Sequence, residues 1–325
     1  MSTNTLVAVD IGGTHARFAI ATRDPDGAIT LEEPVTLSTE DHASFQSAWK
    51  EFRKRQGSIL PQAVSMAVAG PVKPDIISFT NNPWIIRPRL IAGELDCNRH
   101  TIVNDFEAVG HATARAPEGQ FLHLAGPDTP LPGNGTVSVV GPGTGLGVAH
   151  LWRDGTGAYR VQATEGGHSD FAPVDAIEDA ILVHLRKRLD RVSDERVVSG
   201  PAIVDIYHAL AALEKRSAPD LDDRTLWQVG TSGENSLAAA AVERFCLALG
   251  SVAGNIALIQ GASGVVIAGG LGYRIRDTLL TSGFANRFRA KGRFAEMMGS
   301  IPVKLITHPQ PGLFGAAAAF WSEHS

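Results

Sequence analysis

The apolar runs at the start of the chain are short and broken by glycine. Leu6 to Asp10 is a run of β-forming residues that ends at Gly12-Gly13, and a second run, Ala16 to Ile20, resumes at once. Two apolar runs around a glycine turn are typical of a β-hairpin. Thr30 to Ser38 predicts a third strand beside it.

The pattern then changes to helical spacing. Apolar residues recur three and four positions apart behind Thr39 and Asp41, which we interpret as possible helix caps; they are Phe45, Ala48, Trp49 and Phe52. Further strands are predicted at Ala63 to Ala69, around Ile76 to Phe79 and at His100 to Asn104, and a helix from Phe106 to Ala114. This part of the chain therefore predicts an α/β lobe.

The hairpin pattern returns after a Pro/Gly-rich stretch, Gly126 to Gly135. Thr136 to Gly141 is again a strand-like run that leads into GPGTGLG, and Val148 to Trp152 follows it. No tandem period of 20 to 50 residues accompanies this return, so it indicates one duplication and not a solenoid. The remaining predicted elements are helices at Ala176 to Asp190, Pro201 to Glu214, Ser236 to Gln260 and Leu313 to Trp321, with strands at Gly264 to Ala268 and Val303 to Thr307.

Length and charge narrow the class of protein. A chain of 325 residues exceeds the usual size of a single core, which predicts two domains. The 29 basic and 34 acidic side chains give a net charge of −5, and no long basic block is present. A nucleic-acid partner is therefore not expected.

The location of the chain is predicted from its first residues and its longest apolar stretch. MSTNTLVAVDIGG has no basic and apolar segment of the signal-peptide type, which favours the cytoplasm. Leu237 to Ile259 is apolar enough to suggest a membrane span, but Glu243 and Arg244 lie inside it and glycines interrupt it. We expect a buried helix and no membrane partner. Cys97 and Cys246, in no metal or redox spacing, are expected to be reduced and buried.

Three glycine turns that follow predicted strands are candidate phosphate sites. They are Gly12-Gly13-Thr14, the group Gly141, Gly143, Thr144 and Gly145, and Gly269-Gly270. Glycine lets backbone N–H groups approach a phosphate and adopts unusual backbone angles, which we expect at the hairpin tips. One such turn is usually only a turn, but the same design in both halves favours binding. Asp10 adds a carboxylate that suits a hydrated Mg²⁺.

The common nucleotide motifs are absent from the sequence. There is no Gly-Lys dipeptide, hence no P-loop, and neither HRD nor DFG occurs, which excludes a protein kinase. No strict GxGxxG follows a strand. A nucleotide, if bound, is held in another way.

A second group of candidates is polar. Asn104-Asp105 follows a predicted strand at a helix start, where a general base is often found, although the local sequence alone favours a helix N-cap. Glu165-Gly166-Gly167-His168 suits hydroxyl recognition or an exposed loop, and Glu195 can be an ordinary charged helix start. The residues alone therefore predict a two-lobed phosphate-binding α/β protein, with a polyol as one possible substrate.

Taken together, the motifs resemble the proteobacterial glucokinase family, and the alphaproteobacterial members in particular. The resemblance covers nearly the whole chain. Its segments are DIGGTHARF at Asp10 to Phe18, TNNPW at Thr80 to Trp84, VNDFEAV at Val103 to Val109, GPGTGLGVAHL at Gly141 to Leu151, TEGGHSDFAP at Thr164 to Pro173, RVSDERVVSGP at Arg191 to Pro201, KGRF at Lys291 to Phe294 and PQPGLFGAAA at Pro309 to Ala318.

The resemblance implies a fold and an activity. The fold is that of actin, the hexokinases and the Hsp70 ATPases, in which two RNase-H-like α/β lobes flank a cleft. The small domain would comprise residues 1–115 plus 310–325, and the large domain residues 116–309. The activity implied is that of a cytoplasmic, homodimeric glucokinase, which transfers the γ-phosphate of ATP to the 6-hydroxyl of glucose with Mg²⁺.

The resemblance also implies roles for the candidate residues. Asp105 would be the base that takes the 6-hydroxyl proton. The sugar-binding residues would be Asn104, Asp105, Glu165, His168 and Glu195. The phosphates would be held by Asp10, Ile11, Gly12, Gly13 and Thr14 and by Gly141, Gly143, Thr144 and Gly145, with Gly269 and Gly270 near the adenosine and Asp10 bound through water to Mg²⁺. No cysteine lies between Cys97 and Cys246, so the structural zinc of the repressor, open-reading-frame and kinase group is not expected.

Three alternatives stay open at this point. A kinase of the same fold could act on mannose, fructose or N-acetylmannosamine. A sugar-responsive regulator without turnover is disfavoured because the first strand begins near residue 6, which leaves no room for a preceding DNA-binding domain. An actin-like filament or chaperone ATPase is disfavoured by the sugar-type loops.

Overall fold

The computed structural model describes residues 4–57, 59–79 and 82–324. Its strands are β1 Thr5–Ile11, β2 His15–Arg23, β3 Ile29–Leu31, β4 Val35–Ser38, β5 Ala63–Val68, β6 Ile77–Ser78, β7 Ile85–Ile86, β8 Arg99–Asn104, β9 Phe121–Ala125, β10 Asn134–Pro142, β11 Leu146–Asp154, β12 Tyr159–Thr164, β13 Ala262–Ile267 and β14 Val303–Ile306. Its α-helices are α1 Phe45–Gln56, α2 Ile91–Leu95, α3 Asp105–Arg115, α4 Ala176–Leu185, α5 Ala202–Leu213, α6 Asp223–Thr231, α7 Ser236–Gln260, α8 Gly269–Arg274, α9 Arg276–Thr281, α10 Phe284–Arg289, α11 Ala295–Gly299 and α12 Pro311–Glu323.

The chain divides into two compact units. The first comprises residues 1–116, 161–163 and 308–325, and the second comprises residues 117–160 and 164–307. The predicted domain limits, 1–115 with 310–325 and 116–309, stay a prediction, because compactness alone does not show that either part folds by itself.

The first unit is built on the sheet β3-β2-β1-β5-β8, with β4 paired to the other end of β2. Strands β1 and β2 form the predicted hairpin, in register from Thr5↔Thr22 to Ile11↔Ala16. Strands β1, β5 and β8 run parallel, so their carboxyl ends meet at one edge of the sheet. That edge is the usual place for a ligand site in an open α/β sheet.

Each face of this sheet carries a helix. Helix α1 covers one face with an aromatic cluster in which Phe18 stacks on Phe52 at 5.0 Å between ring centroids. Helix α12 packs against the other face with a run of buried alanines, Ala316 to Ala319. Ala316 and Ala319 cluster with residues of β5, β8 and α3, and Ala317 clusters with residues of β1. Close packing of α12 on its neighbours therefore explains the alanine run.

The second unit contains the sheet β12-β11-β10-β13-β14-β9. Strands β10 and β11 form the second predicted hairpin, in register from Asn134↔Asp154 to Pro142↔Leu146, and β10, β13 and β14 run parallel. Among the described helices, α7 is the one with the length and composition of a membrane span, yet 67% of its most apolar window is buried. It is the central helix of this unit's core, as predicted.

Several local predictions need correction. The single strand predicted at Thr30 to Ser38 is two short strands, β3 and β4, because Pro34 between them has no N–H to continue a ladder. The cap of α1 is Ser44, which forms a reciprocal capping box with Ser47, so Thr39 and Asp41 are not its caps. Helix α4 ends at Leu185, before the predicted Asp190.

The two cysteines are as expected. Cys97 and Cys246 are free and buried. Burial raises the pKa of Cys246 to about 12, so this thiol stays protonated and packs as a small apolar group.

Candidate active site

The tip of the first hairpin is a turn held by hydrogen bonds within its own unit. Gly12 N–H donates to His15 O at 2.9 Å and closes the turn. Thr39 then holds the tip twice: its N–H donates to Thr14 O at 2.9 Å and its hydroxyl to Gly13 O at 2.8 Å. Thr39, which was predicted as a helix cap, therefore fixes the hairpin tip instead.

Asp10 lies next to this tip, one residue before the end of β1. Its carboxylate accepts a hydrogen bond from Arg17 at 3.2 Å, across the β1–β2 register pair that joins these two residues. Burial raises the pKa of Asp10, and the positive charge of Arg17 opposes that rise. A side chain at Gly312 would come within 2.7 Å of the Asp10 carboxyl carbon, so the first turn of α12 lies directly against it.

The sequence left two roles open at Asn104-Asp105, a helix N-cap and a general base, and the structure gives the cap to Asn104. Asn104 is the N-cap of α3: its Oδ1 accepts from Phe106 N–H at 2.9 Å and Glu107 N–H at 3.3 Å. Asn104 also donates to Gly70 O at 3.1 Å. Because the cap is supplied by its neighbour, Asp105 is not needed to start the helix, although its Oδ1 also accepts from Phe106 N–H at 3.0 Å.

The surroundings of Asp105 suit a general base. Burial, with the negative charge of Asp10 as the second cause, raises the pKa of Asp105 to about 6. The two carboxylates are near each other because Asp10 pairs with Ala67 of β5, which in turn pairs with Val103 of β8. The parallel register thus brings both acids to the same sheet edge.

The backbone angles of the glycines at the two hairpin tips differ from the expectation. No left-handed φ occurs at Gly12, Gly143 or Gly145, so the unusual angles expected there are not found. At Gly143 a β-carbon would meet no atom within 4 Å, so this position is open space. Gly269 is different: its φ is +85°, and a β-carbon would lie 2.6 Å from Pro142 O.

Gly269, with its left-handed backbone, belongs to the third candidate turn. Helix α8 begins at Gly269, directly beside the end of β10, while Gly270 is exposed with open space around it. The second and third glycine turns are therefore neighbours within the second unit, although about 125 residues separate them in sequence.

The EGGH and DER segments form two adjoining 3₁₀ turns, Gly166–His168 and Asp194–Arg196. Ser169 joins them, because its hydroxyl donates to Asp194 Oδ2 at 2.7 Å and its carbonyl accepts from Asp194 N–H at 2.8 Å. Glu165 and His168 are exposed, with 3.9 Å between Glu165 Oε2 and His168 Nε2. Exposed polar groups on a fixed turn can accept and donate hydrogen bonds to hydroxyls.

Both turns contact the second hairpin. Glu195 Oε2 accepts from Leu146 N–H at 2.8 Å, and a β-carbon at Gly167 would lie 2.1 Å from Leu146 O. The second unit therefore brings together the predicted residues of the hairpin tip, of EGGH and of DER, and Gly269 beside them. The first unit brings together Asp10, its hairpin tip, Asn104 and Asp105.

Sequence reasoning missed some residues that shape this site. Asp194, whose pKa is raised by burial to about 6, ties the two 3₁₀ turns, but in the sequence it is indistinguishable from its acidic neighbour Glu195. Gly312 was also missed; the glycine after Pro311 at a helix start was its signal. Binding roles for the predicted residues stay predictions.

Comparison with known proteins bears on the identity of this site. A model of the glucokinase family matches residues 6–323. A glucokinase of Zymomonas mobilis is 52% identical over 320 residues, which cover 98% of each chain. The crystal structure of a glucokinase from an Antarctic psychrotroph superposes with a TM-score of 0.88 at 33% identity, over 100% of both chains.

A more distant structure shares the fold. A ROK family glucokinase from Streptomyces griseus, solved in complex with glucose and AMPPNP, superposes with a TM-score of 0.61 at 18% identity, over 97% of this chain and 98% of that one. The predicted fold class, two RNase-H-like α/β lobes of the actin and hexokinase type, is confirmed by these structures, as is the resemblance to alphaproteobacterial glucokinases.

Proposed function

The chain belongs to the glucokinase family and is a sugar kinase of that type, and we propose that Asp105 is the base of its reaction, the transfer of the γ-phosphate of ATP to the 6-hydroxyl of glucose. One observation carries the proposal. Asp105 is a half-buried carboxylate at the carboxyl end of a parallel strand, with a pKa raised to about 6 and the helix cap supplied by Asn104.

The chemical step follows from that pKa. Near pH 7.5 Asp105 is deprotonated, yet it is about a hundredfold more basic than an ordinary aspartate. As the 6-oxygen of glucose attacks the γ-phosphorus, its proton moves to the Asp105 carboxylate. The new bond joins that oxygen to phosphorus, the bond to the β-phosphate oxygen breaks, and ADP leaves with the electron pair. Asp105 then returns the proton to solvent.

We propose that the glycine turns hold the nucleotide. The open space at Gly143 supports this role, because no described protein atom lies within 4 Å of where its β-carbon would be, which leaves room beside its backbone. The partners of Gly143 in this role are Gly141, Thr144 and Gly145 in the second turn and Asp10, Ile11, Gly12, Gly13 and Thr14 in the first, with Gly269 and Gly270 toward the adenosine. The AMPPNP in the distant relative supports ATP as the donor.

A magnesium ion fits the acids of the first unit. Among the described residues no cluster of three or more His, Cys, Asp or Glu could enclose a metal. Mg²⁺, however, keeps several waters and binds through one or two carboxylates together with substrate phosphates, and Asp10 offers such a carboxylate. Asp10 would therefore hold the ion through water. The ion, when bound, supplies charge neutralisation for the phosphates.

The sugar ligands are proposed from both units separately. Glu165, His168 and Glu195 would bind hydroxyls from the second unit, and Asn104 with Asp105 from the first. Family membership also supports a cytoplasmic homodimer as a proposal. Light scattering coupled to gel filtration tests the dimer.

The function is tested by steady-state kinetics with ATP and a panel of sugars. Coupled measurement of ADP release should give the highest kcat/KM with glucose, above mannose, fructose and N-acetylmannosamine. A higher kcat/KM for another sugar would assign the chain to a different substrate. Binding of glucose with no ADP release would instead favour the non-catalytic sugar-sensing alternative.

The raised pKa of Asp105 predicts a pH dependence. The active form of a base is deprotonated, so kcat/KM for glucose should fall as pH drops through about 6, by tenfold per pH unit below it. Rates at fixed ionic strength from pH 5 to 8 measure this limb, with circular dichroism at each pH as the control for folding. A limb near pH 4, the ordinary range for aspartate, would contradict the assignment.

A further inference from the structure

Glu195 is attached to the second hairpin through a single backbone group. One carboxylate oxygen, Oε2, accepts from Leu146 N–H at 2.8 Å. Five residues after Glu195, the same segment is hydrogen-bonded to the hairpin again, where Gly200 N–H donates to Gly143 O at 2.7 Å. The carboxylate that is proposed to bind sugar thus depends on the loop that is proposed to bind phosphate.

Gly145 makes the room for this attachment. A β-carbon at Gly145 would lie 2.4 Å from Glu195 Oε2, a distance that real β-carbons essentially never show, and 3.1 Å from its carboxyl carbon. Backbone angles do not explain the glycine, because its φ is outside the left-handed region. The missing side chain is therefore required by the carboxylate of Glu195.

The orientation of that carboxylate leaves one oxygen for a ligand. Oε1 would be 3.8 Å from the same β-carbon, on the far side of the carboxyl group from the hydrogen bond. An oxygen held this way is a fixed acceptor, and hydrogen bonds to charged groups are the strong ones. Moving the carboxylate would misplace this acceptor without touching any nucleotide.

We propose that Gly145, although it lies in the glycine hairpin assigned to ATP, is a positioning residue for the sugar, because only a residue without a side chain leaves the Glu195 carboxylate on Leu146 N–H. This inference rests on the proposed role of Glu195 as a sugar ligand. It separates two functions within one hairpin: the open Gly143 side for phosphate, and Gly145 for glucose.

Gly145→Ala tests the proposal. The atoms that its methyl displaces are the far end of a flexible side chain, so the fold should be kept and the thermal midpoint should stay within about 2 °C. KM for glucose should rise about tenfold or more, the size of effect expected for a lost hydrogen bond to a charged group, and this rise should exceed any rise in KM for ATP. Calorimetric titration with glucose should show the same loss in affinity.

Gly143→Ala is the matched variant, since it adds the same methyl two residues away. There the methyl meets no protein atom within 4 Å, so Glu195 stays in place and KM for glucose should change by less than about twofold, whatever happens to KM for ATP. An equal rise in KM for glucose in both variants would overturn the proposal, because any methyl in the hairpin would then suffice.

Glu195→Ala separates this inference from the proposed function. If Gly145→Ala acts through Glu195, adding it to Glu195→Ala should raise KM for glucose no further. A full additional rise in the double variant would overturn the proposal. If Glu195→Ala alone leaves glucose affinity unchanged, the role of Glu195 in the proposed function is wrong. If Glu195→Ala weakens glucose binding but Gly145→Ala does not, the inference about Gly145 alone is wrong.

Discussion

Asp105→Asn is expected to lower kcat by about 10²- to 10⁴-fold while the dissociation constant for glucose changes by only a few-fold. The amide cannot accept the 6-hydroxyl proton, which removes the proposed base. Its oxygen can still accept the hydrogen bond that Asp105 Oδ1 receives from Phe106 N–H at 3.0 Å, and Asn104 still caps α3. Steady-state kinetics with calorimetric glucose binding measure both quantities.

Glu107→Gln is the control for this variant. Glu107 lies two residues further along the same helix, is also half-buried, and its pKa is raised by burial. The same acid-to-amide change there should alter kcat by less than about threefold, because Glu107 has no proposed part in proton transfer. Near-normal kcat in Asp105→Asn would show that another group is the base. An equal loss in both variants would point to a general effect on α3.

Gly315→Ala should destabilise the first unit more than any surface substitution. Helix α12 crosses α3 so closely that a β-carbon at Gly315 would lie 1.8 Å from Ala108 O and 2.4 Å from its carbonyl carbon. Backbone cannot swing aside as a side chain can, so the helices must separate, at about 3 kcal/mol or more. We expect the thermal midpoint to fall by about 6 to 12 °C.

This variant should also reduce kcat, since Ala108 lies in the first turn of α3, just beyond Asp105. Gly93→Ala is the matched control: Gly93 is a helical glycine in α2 whose β-carbon would meet nothing within 4 Å. There the midpoint should stay or rise slightly, because alanine has the higher helix propensity. Differential scanning calorimetry compares the two. An unchanged midpoint in Gly315→Ala would mean that the helices are not in close contact.

The hairpins and the longer helices could be predicted because local pattern decides them. Leu6 to Asp10 and Ala16 to Ile20 are apolar runs on either side of a glycine turn, and the helical apolar period of Ser236 to Gln260 extends over seven turns. Neither pattern depends on residues that are distant in sequence. Short elements such as β7 and α8 to α11 were missed. They have too few residues for a period to show and are set by what they pack against.

The sequence predicted which residues are candidates for the site, but it predicted less of how they are arranged in space. The register of β1, β5 and β8 brings Asp10 and Asp105 to one sheet edge, which depends on a strand order that the sequence pattern does not give. That Asn104, and not Asp105, caps α3 is shown by hydrogen-bond distances, which no sequence pattern encodes. The contact of Gly145 with Glu195 joins residues fifty positions apart, which only the fold can reveal.

The position of α12 in the sequence affects how the protein is made. The apolar face of β1 that Leu313, Ala317 and Phe320 cover is synthesised first, and roughly 190 residues of the second unit are translated before α12 emerges. At bacterial elongation rates this face waits about 10 to 40 s on the ribosome without its helix. Exposed strand surface over such a period is a substrate for nascent-chain chaperones. Because α12 is made last, the first unit can acquire this helix, whose Gly312 lies against the Asp10 carboxylate, only after the second unit has been translated.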